Sequence, residues 1–150
     1  MFHQLTLENI MSDKIFAAGS CRCGAVTVTV RDKPKRMVQC HCTDCQKVTG
    51  TGHAANAFFA ESDVEISGET ASYSVTADSG NTVTRHFCPT CGNRMFHHNT
   101  GRPGVVTLPA GCFENSDWFA PQIVVYTRNR PDWDLTTNEV PNFEEMPPPA

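Results

Sequence analysis

Three cysteines fall within six residues in the run Cys40-His41-Cys42-Thr43-Asp44-Cys45. Thiols this close along the chain cannot all meet the geometry that disulfide bonds with one another require. They can, however, surround one metal ion as thiolates. A fourth ligand from the protein would close such a site, whereas a site without one keeps a position for a substrate. The chemistry of this loop therefore depends on where the other cysteines go.

The chain has eight cysteines, and four of the remaining five form two close pairs. Cys21 and Cys23 form a CxC pair, and side chains two apart on an extended segment share a face. Cys88 and Cys91 form a CxxC pair followed by Gly92, which tolerates the positive φ of a zinc-knuckle turn. Four thiolates make a closed tetrahedral site, so we expect these two pairs to hold one structural metal ion.

This partition leaves a three-cysteine loop (Cys40, Cys42 and Cys45) with an open position on a second metal ion. Soft thiolate ligands favour zinc over magnesium or calcium. The alternative to zinc is an iron–sulfur cluster. A different partition stays open, although it splits the contiguous loop. It places Cys21, Cys23, Cys40 and Cys42 on one ion and Cys45, Cys88 and Cys91 on another. Cys112 lies apart from all of these, and we expect a small buried thiol there.

Length and composition exclude several classes of protein. The 150 residues favour one domain, the net charge is −4, and no basic run is present, so nucleic acid is not an expected partner. No window of about eighteen apolar residues occurs, so no membrane span is expected. Residues 1–10 carry Glu8 and lack the pattern of a signal peptide. We therefore expect a reducing, cytoplasmic setting rather than a secreted disulfide domain.

The elements that must position the cysteines are short strands. Segments of period-two or apolar character recur about every ten residues between turn signals, whereas helical character is confined to about one turn at residues 42–48. This pattern predicts a mainly β fold. We expect an N-terminal extension at residues 1–14, a metal-binding β domain at residues 15–135 and a solvated Pro/Glu-rich tail at residues 136–150.

The order and spacing of four motifs resemble the glutathione-dependent formaldehyde-activating enzyme family over roughly residues 15 to 133. The motifs are Gly19-Ser20-Cys21-x-Cys23-Gly24, Cys40-His41-Cys42-x-x-Cys45-Gln46-Lys47, Arg85-x-Phe87-Cys88-Pro89-x-Cys91-Gly92 and Arg130-Pro131-x-Trp133.

The resemblance implies a zinc-stapled β-tent of short antiparallel sheets. It implies two zinc ions, the first a structural ion on Cys21, Cys23, Cys88 and Cys91. The second would lie on Cys40, Cys42 and Cys45, with an open position for a substrate sulfur. The implied reaction condenses glutathione with formaldehyde to S-hydroxymethylglutathione and is classed as a carbon–sulfur lyase reaction.

A mechanism follows as a hypothesis. A small thiol such as glutathione binds as thiolate at the open position, because coordination lowers the thiol pKa, and it then attacks a small aldehyde. The new hydroxyl needs a proton, for which His53 and, less favoured, Asp44 are candidates because they lie close to the loop in sequence. We expect His41 to face away from the metal. The alternative is a non-catalytic zinc-stapled binding or scaffolding module, in which a protein ligand closes the second site. The sequence assigns no oligomeric state.

Overall fold

Ten short strands, one short α-helix and three 3-10 helices of three residues each make up the regular structure of residues 14–147, which are the residues that the computed structural model describes. The strands are β1 (Ala17–Ser20), β2 (Thr27–Val30), β3 (Arg36–Cys40), β4 (Ala54–Ala60), β5 (Val64–Ser67), β6 (Ala71–Thr76), β7 (Thr82–Phe87), β8 (Arg94–Asn99), β9 (Val105–Pro109) and β10 (Ile123–Val125). Helix α1 (Thr43–Thr49) has seven residues. In this part of the chain no helix has the length and apolar character needed to cross a membrane. The predicted mainly β fold with little helix is confirmed.

The strands form two sheets of unequal size. The smaller sheet has the order β1-β2-β5, and the larger has the order β10-β3-β4-β9-β8-β7-β6. The neighbouring strands pair antiparallel as expected, except that β10 runs parallel to β3. A parallel neighbour needs a long crossover connection, and residues 41–122 provide it.

The main core lies between the two sheets. Val28 and Val30 point inward from the smaller sheet and are at most 1% exposed. Phe59, Met95 and Leu108 of the larger sheet are fully buried against the same cluster. The period-two pattern of β2 thus decides which face of the small sheet packs on the large one.

A second apolar cluster covers the opposite face of the larger sheet. It is built from Val38, Cys40, Cys45, Ala54, Phe58, Ile123 and Val125. Because side chains alternate along a strand, β3 sends Met37 into the main core and its neighbour Val38 into this second cluster. The three-cysteine loop begins on the second face, at the end of β3.

The segment after residue 135, for which the sequence predicts a solvated tail, contacts the fold along β10 and through two side chains: Thr136 Oγ1 accepts from Gln39 Nε2 at 3.3 Å, and Glu145 pairs with Arg128. Asn142 forms an isolated bridge to Val124, and the Phe143 N–H donates to the Val124 carbonyl at 2.9 Å. The Phe143 side chain packs partly buried against the second cluster. None of the described residues of this segment is fully buried. The predicted N-terminal extension lies outside the described residues apart from Lys14, and the division into three segments stays a prediction.

Candidate metal centres

The four-cysteine group (Cys21, Cys23, Cys88 and Cys91) lies where the turn after β1 meets the turn after β7. The Sγ atoms of all four residues lie within 4.8 Å of one another. The Cys21–Cys23 sulfur distance is 3.6 Å and the Cys23–Cys88 distance is 3.7 Å. Four thiolates about 2.3 Å from one tetrahedral ion stand about 3.8 Å apart, so these spacings fit a Cys₄ zinc site. The group can therefore hold a metal ion.

Backbone hydrogen bonds prepare the two turns for this arrangement. The Val26 N–H donates to Cys21 Sγ at 3.3 Å. Gly92 has φ +74°, a conformation that favours glycine, and its N–H donates to the Cys88 carbonyl at 2.8 Å. Asn93 accepts from the Arg22 N–H at 3.1 Å and so ties one turn to the other. The local sequence thus shapes each pair, and the fold brings the pairs together.

The three-cysteine loop is a strand end followed by a helix start. Cys40 ends β3, Cys42 is the N-cap of α1, and Cys45 lies in the first turn of that helix. The Cys45 N–H donates to Cys42 Sγ at 3.3 Å, so a thiol takes the place of the usual capping oxygen. Gly50 ends the helix in the left-handed conformation at φ +72°. Asp44 is exposed on the first turn, where a negative charge suits the helix dipole.

The ligand count of this loop is three. Its sulfur atoms lie within 4.8 Å of one another, and over residues 14–147 no fourth Cys, His or carboxylate atom joins them at that spacing. Cys112 is buried apart from both groups, and burial raises the pKa of its thiol to about 12. It belongs to neither group of sulfur atoms that lie close enough to share an ion. The loop can hold a metal ion with a free coordination position.

The thiols of the loop differ in their affinity for protons. The pKa of Cys42 is lowered because the thiols of Cys40 and then Cys45 donate hydrogen bonds to it. The pKa of Cys40 is raised because its proton is held by Cys42, then Cys45, and because the thiol is buried. The loop thus favours one thiolate and two thiols, and a divalent cation would displace the remaining protons.

His41 and His53 lie on the other face of the β3–β4 pair. The His41 Nδ1 atom lies 2.9 Å from the Gly52 carbonyl, and its Nε2 atom lies 3.3 Å from Gln39 Nε2. Gln39 and Cys40 are neighbours on a strand, so their side chains point to opposite faces. His41 is fully buried and faces away from the three-cysteine loop, and its ring centroid is 5.4 Å from that of His53.

Asp134 is the partner of His53 that the sequence did not indicate. Its Oδ2 atom lies 2.7 Å from His53 Nδ1 and 3.3 Å from His41 Nδ1. Gly52 makes room for this carboxylate, because a Cβ at that position would lie 2.3 Å from Asp134 Oδ2. Arg130 Nη1 donates a hydrogen bond to the Asp134 backbone carbonyl at 2.7 Å. The only sequence signal for this contact was the nearby Arg130-Pro131-x-Trp133 motif.

Arginines and a tyrosine accompany the three-cysteine loop, and sequence reasoning missed their roles. The Arg94 Nη2 atom donates to Asn56 Oδ1 at 2.9 Å, and the Arg102 guanidinium carbon lies 4.8 Å from the centre of the Phe58 ring. Tyr126, at φ +58°, packs against the second cluster. Burial, followed by the thiolates of Cys40 and Cys42, raises the pKa of its phenol.

Comparison with known proteins identifies the family. A family model described as the glutathione-dependent formaldehyde-activating enzyme matches residues 16–129. The chain belongs to the glutathione-dependent formaldehyde-activating enzyme family. The match contains both cysteine groups of this family member and helix α1, and it ends before Asp134. It also ends four residues short of Trp133, the last residue of the motifs quoted above.

A solved structure shows the same fold. The crystal structure of a Rhodobacter sphaeroides protein from a structural genomics programme superposes with a TM-score of 0.53 at 22% identity. The superposition covers 65% of this chain and 88% of the other. At this identity the likeness concerns the fold alone. A search of curated proteins gives no significant match to this family member.

Proposed function

We propose that this protein is a zinc-dependent enzyme of the carbon–sulfur lyase type that joins a small thiol, such as glutathione, to a small aldehyde, such as formaldehyde. The observation that carries the proposal is the three-cysteine loop without a fourth protein ligand in the described residues. Family membership supports the choice of glutathione and formaldehyde. The free thiols of all eight cysteines suit a reducing compartment such as the cytoplasm.

Two zinc ions serve different purposes in this proposal. The four-cysteine group would hold a structural ion in a site closed by four protein ligands. The three-cysteine loop would hold an ion with one free coordination position. At that position zinc supplies a site where a thiol binds and loses its proton at neutral pH. This requires a soft metal at a soft donor set, which the thiolates of the loop provide.

The residues of the chain place the reactants and manage the proton. Apolar side chains of the second cluster surround Cys40 and Cys45 and limit the access of water. In the reaction the S–H bond breaks, a bond forms between sulfur and the carbonyl carbon, and the carbonyl oxygen takes up one proton. The sequence predicts His53 as the residue that transfers this proton. Because the His53 ring lies with His41 and Asp134 on the other strand face, we propose Tyr126, which packs against the second cluster, for this role.

The test is a Cys42→Ser variant with Cys112→Ala as the matched control. The zinc content of each variant is measured. The formation of S-hydroxymethylglutathione is followed by NMR and compared with the spontaneous reaction of glutathione with formaldehyde. We expect two zinc ions and acceleration for the wild type and for Cys112→Ala. We expect one zinc ion and the spontaneous rate for Cys42→Ser.

Two outcomes would contradict the proposal. Full zinc content and full rate in Cys42→Ser would show that the loop is not the site of reaction. Two bound zinc ions without any acceleration by the wild-type protein, with glutathione or another small thiol, would favour a zinc-stapled binding or scaffolding module.

A further inference from the structure

Two basic residues share the sheet face on which the three-cysteine loop begins. Phe58 pairs with Thr107, Thr107 with His97, and His97 with Arg85, so one row of paired residues crosses β4, β9, β8 and β7. Residues paired across a sheet have side chains on the same face. Along β4, Phe58 shares its face with Ala54, which pairs with Cys40. The side chains of Arg85 and His97 therefore stand on the Cys40 side of the large sheet.

Arg94 joins this face through uncharged partners. Its Nη2 atom donates to Asn56 Oδ1 at 2.9 Å and lies 3.3 Å from His97 Nδ1. A guanidinium has only donors, so His97 must accept here with a neutral ring. Burial, followed by the charge of Arg94, lowers the pKa of His97 to about 3, which keeps this ring neutral. The positive charge of Arg94 is therefore held in place but not balanced by either partner.

Two guanidinium groups on this face each have a buried donor without an acceptor. The Nε atoms of Arg85 and Arg94 are buried and lack a hydrogen-bond partner. Arg102 lies over the Phe58 ring. Within residues 14–147 no Asp or Glu oxygen comes within the 4.0 Å ion-pair distance of any of the three guanidiniums. Unpaired buried donors of this kind are rare in folded proteins and call for an explanation.

The nearby thiolates account for only part of this positive charge. Arg85 and Arg94 lie close enough for their charges to act on the thiols of Cys42 and Cys45, respectively. Three thiolates and one zinc ion carry a net charge of −1, against +3 on Arg85, Arg94 and Arg102. When a substrate thiolate adds one negative charge, the net charge of the loop, the zinc ion, the arginines and the thiolate is +1. One carboxylate on the same substrate would balance it.

We propose that Arg85, Arg94 and Arg102 form a carboxylate-binding site beside the three-cysteine loop. The thiol used by this enzyme then carries a carboxylate that the arginines hold while its sulfur occupies the loop. Planar guanidiniums suit this role because they donate two parallel hydrogen bonds to a carboxylate. The inference rests on the proposed function and adds the substrate class: thiol acids are preferred over neutral or cationic thiols.

The test compares three short thiols by calorimetric titration of the zinc-loaded protein. The probes are 3-mercaptopropionate, 2-mercaptoethanol and cysteamine, which carry a carboxylate, a hydroxyl and an ammonium group. We expect the carboxylate thiol to bind the wild type at least about tenfold more tightly than the neutral one, and cysteamine to bind most weakly. Because the probes differ in thiol acidity, the deciding quantity is the change in their affinity ratio on mutation.

Arg85→Met is the main variant, because the Arg85 side chain makes no hydrogen bond in the described structure that folding would lose. In Arg85→Met we expect the ratio of the affinities for the carboxylate and neutral thiols to fall close to one. Arg85→Lys should give a ratio between that of Arg85→Met and that of the wild type. Arg31→Met is the matched control, since Arg31 pairs with Glu65 on the smaller sheet, and it should keep the wild-type ratio. Arg102→Met is a second test variant that keeps the inference falsifiable should Arg85→Met fail to fold.

The outcomes separate this inference from the proposed function. Equal affinity of the wild type for the carboxylate and neutral thiols would overturn the carboxylate site and leave the open metal site standing. The same holds if the ratio is unchanged in both Arg85→Met and Arg102→Met. If no thiol binds the zinc-loaded wild type, the open site fails, and the proposed function and this inference fail with it.

Discussion

The proton needed by the aldehyde oxygen can be traced to single residues. His53 is close to the loop in sequence, but its ring contacts His41 and Asp134, and His41 faces away from Cys40. Tyr126 instead packs against the cluster that contains Cys40 and Cys45. Its raised pKa keeps the phenol protonated at neutral pH, so it can donate a proton.

We therefore predict that Tyr126→Phe lowers kcat by about 10²-fold, the usual contribution of a positioned acid. His53→Gln should stay close to the wild type. The measurement is the steady-state rate above the spontaneous reaction, with zinc content checked in both variants. A larger loss in His53→Gln than in Tyr126→Phe would return the role to His53.

His97 makes the stability of the protein depend on pH. Its ring is buried and accepts from Arg94, so its folded pKa of about 3 lies below the ordinary 6.5. The unfolded chain then binds more protons than the folded one, and stability falls as the pH drops from 6.5 toward 3. Between pH 7.5 and 5.5 the wild type should lose about 1 kcal/mol more than His97→Gln. Urea unfolding in a zinc buffer measures this difference, and parallel pH profiles would contradict the prediction.

The Gln46 side chain helps to attach helix α1 to the rest of the protein, together with buried Cys45 and the Thr49 hydroxyl, which donates to the His53 carbonyl at 3.3 Å. Its seven residues are too few for a stable isolated helix, so contacts with the rest of the protein must hold it. The Gln46 Nε2 atom donates to the carbonyls of His41 and Asn129, each at 2.8 Å. It thereby joins the metal loop to the chain beyond β10.

Gln46→Ala should weaken zinc binding at the three-cysteine loop by about 10- to 100-fold, the usual effect of losing a contact that orients metal ligands. The four-cysteine group should keep its affinity. Competition with a chelator measures both sites, and Lys47→Ala on the exposed side of the same helix is the control. An unchanged affinity at the loop would show that the strand end and the first helical turn alone position the thiols.

The two sheets are joined at the four-cysteine group. Cys21 and Cys23 follow β1 of the smaller sheet, whereas Cys88 and Cys91 follow β7 of the larger one. A metal ion at this point therefore connects the layers that enclose the main core, and its binding free energy adds to that of folding.

We expect Cys23→Ser to lower the free energy of unfolding by more than about 3 kcal/mol, because the site loses one of four ligands. Cys23 is exposed, so the change leaves no cavity in the core. Cys42→Ser, which removes a ligand from the other group, should cost clearly less. Thermal and urea unfolding of both zinc-loaded variants measure the effect. Equal losses would mean that the four-cysteine group is not the structural one.

Much of the fold was predictable because its signals are local. Period-two segments such as β2 and turn residues such as Gly50 and Gly92 act over a few positions, and the strands and the short helix follow from them. The parallel pairing of β10 with β3 was not predictable, since it joins Ile123 to Val38 across a long connection. Asn142 and Phe143 pack on β10 for the same reason: the contact exists only after the sheet has formed.

The sequence by itself determined the chemistry that this protein can offer. Seven of the eight cysteines fall in three closely spaced groups whose thiols can turn toward a common ion, because spacing of two or three residues controls side-chain direction locally. Only the tertiary structure decided what surrounds them. It separated His53 from the loop by one strand face, paired it with Asp134, and brought Arg85, Arg94 and Arg102 to the Cys40 side of the sheet. These positions depend on strand order and register, which couple residues far apart in the chain.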